Sequence, residues 1–334
     1  MMDTALVLTG FFVGAAGAAF VSASGRRLAM YDEPSERSSH TVPTPRGGGI
    51  GIVLAFLIVG VYVTGVFFDT IIGFGMGLLG LIEDSFSLSP SLRLSIELLI
   101  SAVVVLPYME LGVYGAALFV FWVIFMTGTA NFYNFMDGIN GIAGLTGAAA
   151  FTLLSVFAFL TGADHAISVI SLAIAAACIG FLPFNLPRAR TFMGDAGSMF
   201  LGFLFALFAF RLTEGLKDLI CMGMFLSLFY ADAIVTLYLR FRTGERIALA
   251  HRSHLYQYLA NELGYRHWVV SLVYCVLQLL IGAASLAAYY GGIFWQVFVA
   301  VAFSFAFIAV YRSIKGLRPK VAGLPQAISE KYDS

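Results

Sequence analysis

The sequence has little charge, little cysteine and no long polar stretch. Only 11% of its 334 residues are charged and 60% are hydrophobic, which excludes an ordinary soluble globular protein. Its cysteines, Cys178, Cys221 and Cys275, lie in apolar runs without paired spacing, so neither a disulfide framework nor a zinc site is indicated. No loop exceeds about 30 residues and no repeat is visible, so we expect no second domain.

The apolar residues occur in runs of membrane-spanning length. A bilayer core requires about 20 apolar residues per helix, and this chain is too long for a single span. We predict an all-α polytopic bundle of about eleven transmembrane helices over residues 1–311, followed by a basic cytoplasmic tail over residues 312–334. The predicted spans cover residues 4–20, 49–67, 70–82, 94–108, 113–129, 142–160, 166–183, 197–211, 218–238, 269–289 and 293–311.

The basic residues predict the orientation. Alternating the loops across the membrane puts all of the 19 Lys and Arg residues on one face except Arg211 and Lys217, and the positive-inside rule makes that face cytoplasmic. We expect the first run to be a retained helix and not a signal peptide, because Asp3 precedes it and Arg26-Arg27 follow it. We therefore predict an outside N-terminus and an inside C-terminal tail, solvated near anionic headgroups.

The first two cytoplasmic loops combine phosphate donors with an acidic pair. In DEPSERSSHTVPTPRGGGIG, His40 and Arg46 supply donors for a phosphate beside glycines that permit close backbone approach. A turn into a tightly packed helix is the alternative. In GLIEDSFSLSPSLRL, Glu83 and Asp84 require a cation or a raised pKa, unless they are simply solvated at a helix end. Arg93 then faces a pyrophosphate or extends to the membrane interface.

The third and fourth loops place more polar groups at helix ends. Four lie within ten residues of NFYNFMDGINGIAG, at Asn131, Asn134, Asp137 and Asn140. Such groups are costly beside a bilayer unless they line a wet cavity or bind a ligand, and helix capping does not account for all four. In FNLPRARTFMGDAGSMFLG, Asp195 precedes the next helix, where it caps that helix or holds Mg²⁺.

The fifth loop carries histidines. In FYADAIVTLYLRFRTGERIALAHRSHLYQYL, Asp232 lies near the end of its helix, and His251 and His254 share a face if their segment is helical. With Arg252 they would grip a nucleotide diphosphate, and an amphipathic helix on the membrane surface is the alternative. No third soft ligand follows at metal spacing, so zinc is not indicated.

In this order, the five loops resemble the polyprenyl-phosphate N-acetylhexosamine-1-phosphate transferases, glycosyltransferase family 4, which include the phospho-N-acetylmuramoyl-pentapeptide transferases. The resemblance covers residues 1–311 and rests on PTPRGGG, Glu83-Asp84, NFYNFMDG, FNLPRARTFMGDAGS and HRSHLYQ. The last string is similar to the O-antigen initiating branch, since the pentapeptide transferases carry consecutive histidines there. Glu83, Asn140 and Arg93 depart from the family's usual Asp, Asp and Lys.

The resemblance implies an enzyme of the bacterial inner membrane with a cleft at its cytoplasmic face. It would transfer an N-acetylated amino-sugar 1-phosphate from a UDP-sugar to undecaprenyl phosphate, use Mg²⁺ and release UMP, initiating O-antigen or related envelope polysaccharide synthesis. The implied partners are these substrates and the lipid bilayer, without nucleic acid, and a homodimer is left open.

The expected site residues fall into three groups. Asp195, Asn134 and Asp84 are the expected metal ligands, and Glu83, Asp84 and Asp137 the expected catalytic acids. The expected substrate contacts are His40, Arg46, Arg93, Asn131, Asn185 near the uridine, Asp232, His251, Arg252 and His254. The competing class is a transporter of an anionic solute, whose binding groups would lie near the bilayer midplane. A lipid-binding scaffold would leave the acidic cluster unexplained.

Overall fold

The structure is a computed structural model that describes residues 1–25, 30–34, 42–65, 68–86, 88–110, 112–244 and 253–316. Helices account for most of these residues, and a short antiparallel pair joins β1 (Tyr31–Asp32) to β2 (Thr44–Pro45). The helices are α1 (Met2–Ser24), α2 (Ile50–Thr64), α3 (Phe68–Phe86), α4 (Pro90–Val105), α5 (Val113–Phe135), α6 (Ile142–Thr161), α7 (His165–Asn185), α8 (Gly194–Leu212), α9 (Leu216–Gly223), α10 (Ser227–Arg242), α11 (Leu255–Gln257), α12 (His267–Gly291) and α13 (Ile293–Lys315).

The fold is the predicted polytopic helical membrane bundle. Within the described ranges, nine helical segments are long and apolar enough to cross a bilayer. Each of the eleven predicted runs coincides with a helix, but α2 has only 15 residues and α3 carries Asp69, Glu83 and Asp84. The fold class is therefore confirmed, whereas the number of eleven spans and the domain boundary after residue 311 stay predictions.

Helix α8 forms the centre of the bundle. It is buried along nearly its whole length and packs against α3 and α5. Its phenylalanines fill the interior, with the Phe200 ring 5.4 Å from that of Phe56 on α2. A helix that is hydrophobic on all sides is expected in such a position. Helix α13, by contrast, buries only Gln296, Phe307 and Tyr311 among its residues and lies at the periphery.

The span formed by α9 and α10 is interrupted, and a buried glutamine forms hydrogen bonds with the backbone groups at the interruption. A single 3₁₀ turn, Met224–Leu226, separates the two helices. Gln278 of α12 donates to the Met224 carbonyl at 2.7 Å and accepts from the Leu228 amide at 3.1 Å. Since backbone groups inside a membrane need internal partners, Gln278 allows the break to lie within the bundle.

The two ends of the bundle have different chemistry. At the end where α3 begins and α8 finishes, Arg211 binds both carboxylate oxygens of Asp69, at 2.5 and 2.7 Å, and covers the ring of Tyr108 at 4.0 Å. We call this the opposite end. The other end, where α3 and α5 finish and α4 and α8 begin, collects the acidic and asparagine-rich motifs, and we call it the site end.

Candidate active site

Asp84 joins the second loop to the fourth. It lies in the last turn of α3, and its two carboxylate oxygens accept from the backbone amides of Asp195 and Ala196, each at 3.0 Å. The first amides of a helix have no partner within that helix. Asp84 therefore caps α8 from a neighbouring helix, a structural function that the sequence did not indicate.

The close approach of α3 to α8 depends on a glycine. A side chain at Gly80 of α3 would overlap the backbone carbonyl of Asp195 and the amide nitrogen of Ala196. Gly80 lies one helical turn before Asp84, so the same contact that excludes a side chain brings the carboxylate within reach of α8.

The first loop is held against the fourth by backbone hydrogen bonds. Phe192 donates to the Pro45 carbonyl at 2.7 Å, and Gly48 and Gly49 donate to the Phe192 and Met193 carbonyls at 2.9 and 2.8 Å. This pairing brings Arg46 close to the acidic cluster, with its Nε 3.9 Å from Asp84 Oδ1. That Nε is buried and has no hydrogen-bond partner among the described residues.

Arg93 links three carboxylates. Its Nη1 lies 3.8 Å from Glu83 Oε1 and 3.5 Å from Asp195 Oδ2, while its Nε lies 3.4 Å from Glu97 Oε1. Its Nη2 donates to Asn131 Oδ1 at 3.4 Å. One guanidinium from the second loop thus connects α3, α4, α5 and α8 at the site end.

Asp195 has the most exposed side chain among the acids that Arg46 and Arg93 contact. Its side chain is 27% exposed, whereas that of Asp84 is 2% exposed. Asn134 donates to Asp195 Oδ1 at 2.8 Å and to the Ser198 hydroxyl at 2.9 Å. Asp195 therefore lies where a water-soluble ligand can reach it.

Asp137 lies close enough to the other acids of the cluster to be influenced by their charge. It follows α5 in the turn before α6, outside the membrane-spanning helices. Loss of hydration, followed by the charges of Asp195 and Asp84, raises the pKa of the Asp137 carboxyl well above its usual range. A bound cation would favour the ionised carboxylate at this position.

The acids fit a magnesium ion by their chemistry, without forming a preassembled metal cage. Within the described part of the chain, no group of three or more His, Cys, Asp or Glu side chains is arranged to hold a metal. Mg²⁺ is commonly bound through one or two carboxylates and completed by water and phosphate. Asp195 and the neighbouring Asp137 can supply such carboxylates, whereas both oxygens of Asp84 already accept backbone amides.

Asn185 joins the third and fourth loops. At the end of α7 its Oδ1 accepts from the Gly141 amide at 2.5 Å, and its Nδ2 donates to the Thr191 carbonyl at 2.9 Å. Asn185 was expected to contact the uridine, and in the structure its amide group bonds twice to the protein's own backbone. The side chain is buried, so its amide serves to fix the two loops relative to each other.

Asp232 organises the fifth loop. Its buried carboxylate accepts from the amides of Leu255 and Tyr256, at 2.8 and 3.2 Å, and from the Tyr274 hydroxyl at 3.0 Å. His254 Nδ1 lies 3.6 Å from Asp232 Oδ1, and His254 itself is buried. Asp232 thus shapes the backbone at α11. His40, His251 and Arg252, which were also predicted for the site, lie outside the described residues.

The fifth loop also contacts the third loop and the C-terminal helix. The Tyr256 hydroxyl donates to the Phe135 carbonyl at 2.9 Å. Lys315, in the predicted basic tail, donates to the Ser253 carbonyl at 2.8 Å, so this residue is not simply a solvated cation. Backbone and side-chain contacts therefore connect all five loops at the site end.

The sequence matches a known family over the helices that build this cluster. The sequence model of "Glycosyl transferase family 4" matches residues 64–213. An "Undecaprenyl-phosphate alpha-N-acetylglucosaminyl 1-phosphate transferase" of Thermotoga maritima is 26% identical over 304 residues, which cover 89% of this chain and 95% of that protein. A "Decaprenyl-phosphate N-acetylglucosaminephosphotransferase" of Mycobacterium tuberculosis is 29% identical over 335 residues, 84% of this chain and 80% of that protein. A "Phospho-N-acetylmuramoyl-pentapeptide-transferase" of Oceanobacillus iheyensis is 28% identical over 277 residues, 71% of this chain and 83% of that protein.

The chain is thus similar to glycosyl transferase family 4 over residues 64–213. The resemblance predicted from the five strings is thereby confirmed at the level of the superfamily. The family match runs through α3 to α8. That segment supplies Glu83, Asp84, Arg93, Asn131, Asn134, Asp137, Asn185 and Asp195.

Glu97 belongs to this cluster, and the sequence analysis missed it. It was treated as part of the apolar run 94–108, yet it is completely buried and contacts Arg93 and Asn131. Two signals were present in the sequence. An ionisable residue inside a membrane-spanning run is expected to have a partner, and Glu97 follows Arg93 by four residues, which places both on one helical face.

Proposed function

We propose that this protein transfers an N-acetylated amino-sugar 1-phosphate from a UDP-sugar to undecaprenyl phosphate and releases UMP. The observation that carries the proposal is the contact of Asp195 with Arg93 and Asn134 at the site end. This cluster combines a solvent-accessible acid with fixed cations at the ends of membrane helices. It suits a reaction between a soluble donor and a lipid acceptor.

The names of the relatives support the transfer of a sugar phosphate to a polyprenyl phosphate. The proteins of Thermotoga maritima and Mycobacterium tuberculosis are each named for a polyprenyl phosphate and an N-acetylglucosamine phosphate. By similarity this chain is a sugar-phosphate transferase of the membrane. We further propose that the donor is a UDP-sugar, that the acceptor is undecaprenyl phosphate and that the reaction begins O-antigen synthesis. These three proposals rest on the motif resemblance.

The basic side chains would bind the donor pyrophosphate. Arg46 and Arg93 both point cationic groups toward the acidic cluster, and Arg46 Nε is buried without a hydrogen-bond partner among the described residues. Because phosphoryl transfer depends mainly on positioning and charge neutralisation, these cations would stabilise the negative charge that develops during the reaction. Mg²⁺, which Asp195 would hold with Asn134 and Asp137 nearby, would neutralise part of the pyrophosphate charge.

The proposed reaction is a displacement at phosphorus, in which one phosphorus–oxygen bond forms and another breaks. An oxygen of the lipid phosphate attacks the phosphorus bonded to the sugar, forming a new phosphorus–oxygen bond. The bond from that phosphorus to the bridging oxygen breaks, and the oxygen leaves with its electron pair as part of UMP. Glu83 is better suited than Asp84 to remove any remaining acceptor proton, because both Asp84 oxygens accept amides of α8.

The position of the cluster favours an enzyme over a transporter. Transporters place their binding groups near the bilayer midplane, often on broken helices. Here the acids and cations lie at helix ends. The backbone at the break Met224–Leu226 is bonded by the Gln278 side chain and so is not free for a solute. We place the site end on the cytoplasmic side of the bacterial inner membrane, where UDP-sugars are found, and leave a homodimer as a prediction.

One assay tests the proposal directly. Purified protein in detergent is given UDP-N-acetylglucosamine, undecaprenyl phosphate and Mg²⁺, and UMP release is followed, with other UDP-amino sugars assayed in parallel. We expect UMP release that requires the lipid acceptor, stops with EDTA and returns with added Mg²⁺. Absence of UMP from every donor would contradict the proposed reaction and favour a transporter or a non-catalytic scaffold.

A further inference from the structure

Glu97 is a buried acid to which the proposed reaction gives no chemical step. It lies in α4 with no exposed surface, four residues after Arg93. Its Oε1 is 3.4 Å from Arg93 Nε, and its Oε2 accepts from the Asn131 amide. Both oxygens of this carboxylate therefore contact residues of the candidate site.

The carboxylate helps to determine which way the Asn131 amide points. A carboxylate only accepts hydrogen bonds, so Asn131 must turn its NH₂ group toward Glu97. That same NH₂ group donates to the Thr127 carbonyl at 2.9 Å. The carbonyl oxygen of Asn131 is then directed at Arg93, whose Nη2 donates to it at 3.4 Å. Glu97, Asn131 and Arg93 form a closed triangle of contacts.

The triangle leaves one part of the guanidinium facing the acidic opening. Arg93 Nε is paired with the Glu97 carboxylate at 3.4 Å and Nη2 donates to Asn131, while Nη1 lies beside Asp195 and Glu83. We propose that Glu97 is a positioning residue that holds Arg93, through direct contact and through Asn131, so that its Nη1 faces the transferred phosphoryl group. This inference rests on the proposed function, which gives Arg93 its phosphate.

A glutamine at this position would remove the constraint while keeping the shape. Its amide carries both donor and acceptor groups, so only the Thr127 carbonyl would still orient the Asn131 amide. The charge that pairs with Arg93 Nε is also lost. We therefore expect E97Q to act on the orientation of Arg93 more than on packing.

A double-mutant cycle tests this coupling. UMP release is measured for wild type, E97Q, R93K and the double variant, with UDP-N-acetylglucosamine and undecaprenyl phosphate varied separately. Lysine is the family's usual residue at position 93 in the resemblance, but it lacks the planar fork that Glu97 and Asn131 hold. We expect E97Q to lower kcat about tenfold in the wild type and less than about twofold in R93K, because coupled residues show non-additive effects. The KM for the lipid acceptor should change little.

The controls separate positioning from folding and from the proposed reaction. Asp69→Asn breaks an arginine–carboxylate pair at the opposite end, so it should keep near-normal kcat, and thermal unfolding is measured for every variant. Additive losses in the cycle, or equal losses for E97Q and D69N, would overturn the positioning function while leaving the reaction intact. If R93K turns over too slowly to assay, the affinity of the same four proteins for UDP-N-acetylglucosamine is measured by calorimetry. Additive losses of binding free energy would again overturn the positioning function. A wild type that releases no UMP would instead overturn the proposed function.

Discussion

At the scale of single residues, burial divides the acids of the site end into two kinds. Asp84 and Glu97 are buried and contact protein groups through both carboxylate oxygens. Asp195 is partly exposed, and its contacts are the side chains of Arg93 and Asn134. Burying a charge is costly unless it is paired, so the first kind serves the architecture. Asp195, and the less exposed Glu83, are the acids available to a ligand.

This division predicts an order of importance for two carboxamide substitutions. Asp195→Asn removes the exposed charge that faces Arg93, and we expect it to lower kcat by at least about a hundredfold, the scale of a lost electrostatic group. Glu83→Gln should cost about tenfold, since a base contributes little when much of the lipid phosphate is already ionised at neutral pH. Steady-state UMP release from both variants gives the comparison, and equal losses would contradict it.

The cap formed by Asp84 predicts a combined loss of stability and activity. Asp84→Ala leaves the Asp195 and Ala196 amides without their acceptor, which should cost about 1 kcal/mol of stability, as for other helix caps. Asp195 would shift with the start of α8, so UMP release should also fall. Asp164→Ala is the matched control, because Asp164 caps α7 by accepting the Ile167 amide at 2.9 Å.

Thermal unfolding and UMP release distinguish the two caps. Both variants should unfold at a lower temperature than wild type, but only D84A should lose most of its activity. If D164A lost as much activity as D84A, the loss would reflect general instability, and the special position of Asp84 would be wrong.

Sequence reasoning found the residue types of the site better than their individual contacts. It predicted that Asp84, Arg93 and Asp195 belong together because their loops lie on one face. It did not indicate that Asp84 caps α8 or that Asp232 accepts the amides of the fifth loop, since such bonds depend on three-dimensional approach. Glu97 was missed because residues 94–108 were judged by their average hydrophobicity, which hides a single acidic residue.

At the scale of helices, the approach of α3 to α8 sets the geometry of the site. Gly80→Ala would place a methyl group against the Asp195 carbonyl and push the two helices apart. We expect the distance between Asp84 and the α8 amides to grow and UMP release to fall at least about tenfold, since interiors are close-packed and yield little. Kinetics and thermal unfolding of the purified variant measure both effects.

The same helix supplies the control for this substitution. Gly75 also lies in α3, but a side chain there would meet nothing within 4 Å. Gly75→Ala should therefore keep activity, and its higher helix propensity should leave stability equal or slightly greater. A G75A variant as inactive as G80A would show that α3 tolerates no added methyl group, whatever its contact with α8.

The helices themselves were predictable, whereas their contacts were not. Runs of apolar residues gave the positions of all the long helices, because length and hydropathy are visible in a single sequence. The central position of α8, by contrast, follows from packing against α3 and α5. The 3₁₀ turn at Met224–Leu226 was likewise hidden, since its partner Gln278 is distant in sequence.

At the scale of the whole molecule, the bundle separates its charges by end. Arg211 and Asp69 are paired at the opposite end, while Arg46, Arg93 and the acidic cluster lie at the site end. The positive-inside rule assigns the end richer in arginine and lysine to the cytoplasm. A site that takes a cytoplasmic nucleotide sugar and a lipid phosphate from the inner leaflet requires that orientation.

Labelling of single cysteines tests the orientation without relying on activity. The native Cys178, Cys221 and Cys275 are buried, so they should react slowly with a membrane-impermeant maleimide. Ser85 is exposed in the last turn of α3 at the site end, and Glu214 is exposed beyond α8 at the opposite end. We expect E214C to react in intact bacterial spheroplasts and S85C only in inside-out vesicles, because the two positions lie on opposite sides of the bilayer. The reverse pattern would put the acidic cluster outside the cell, away from nucleotide sugars, and reaction of both from one side would contradict the spanning bundle itself.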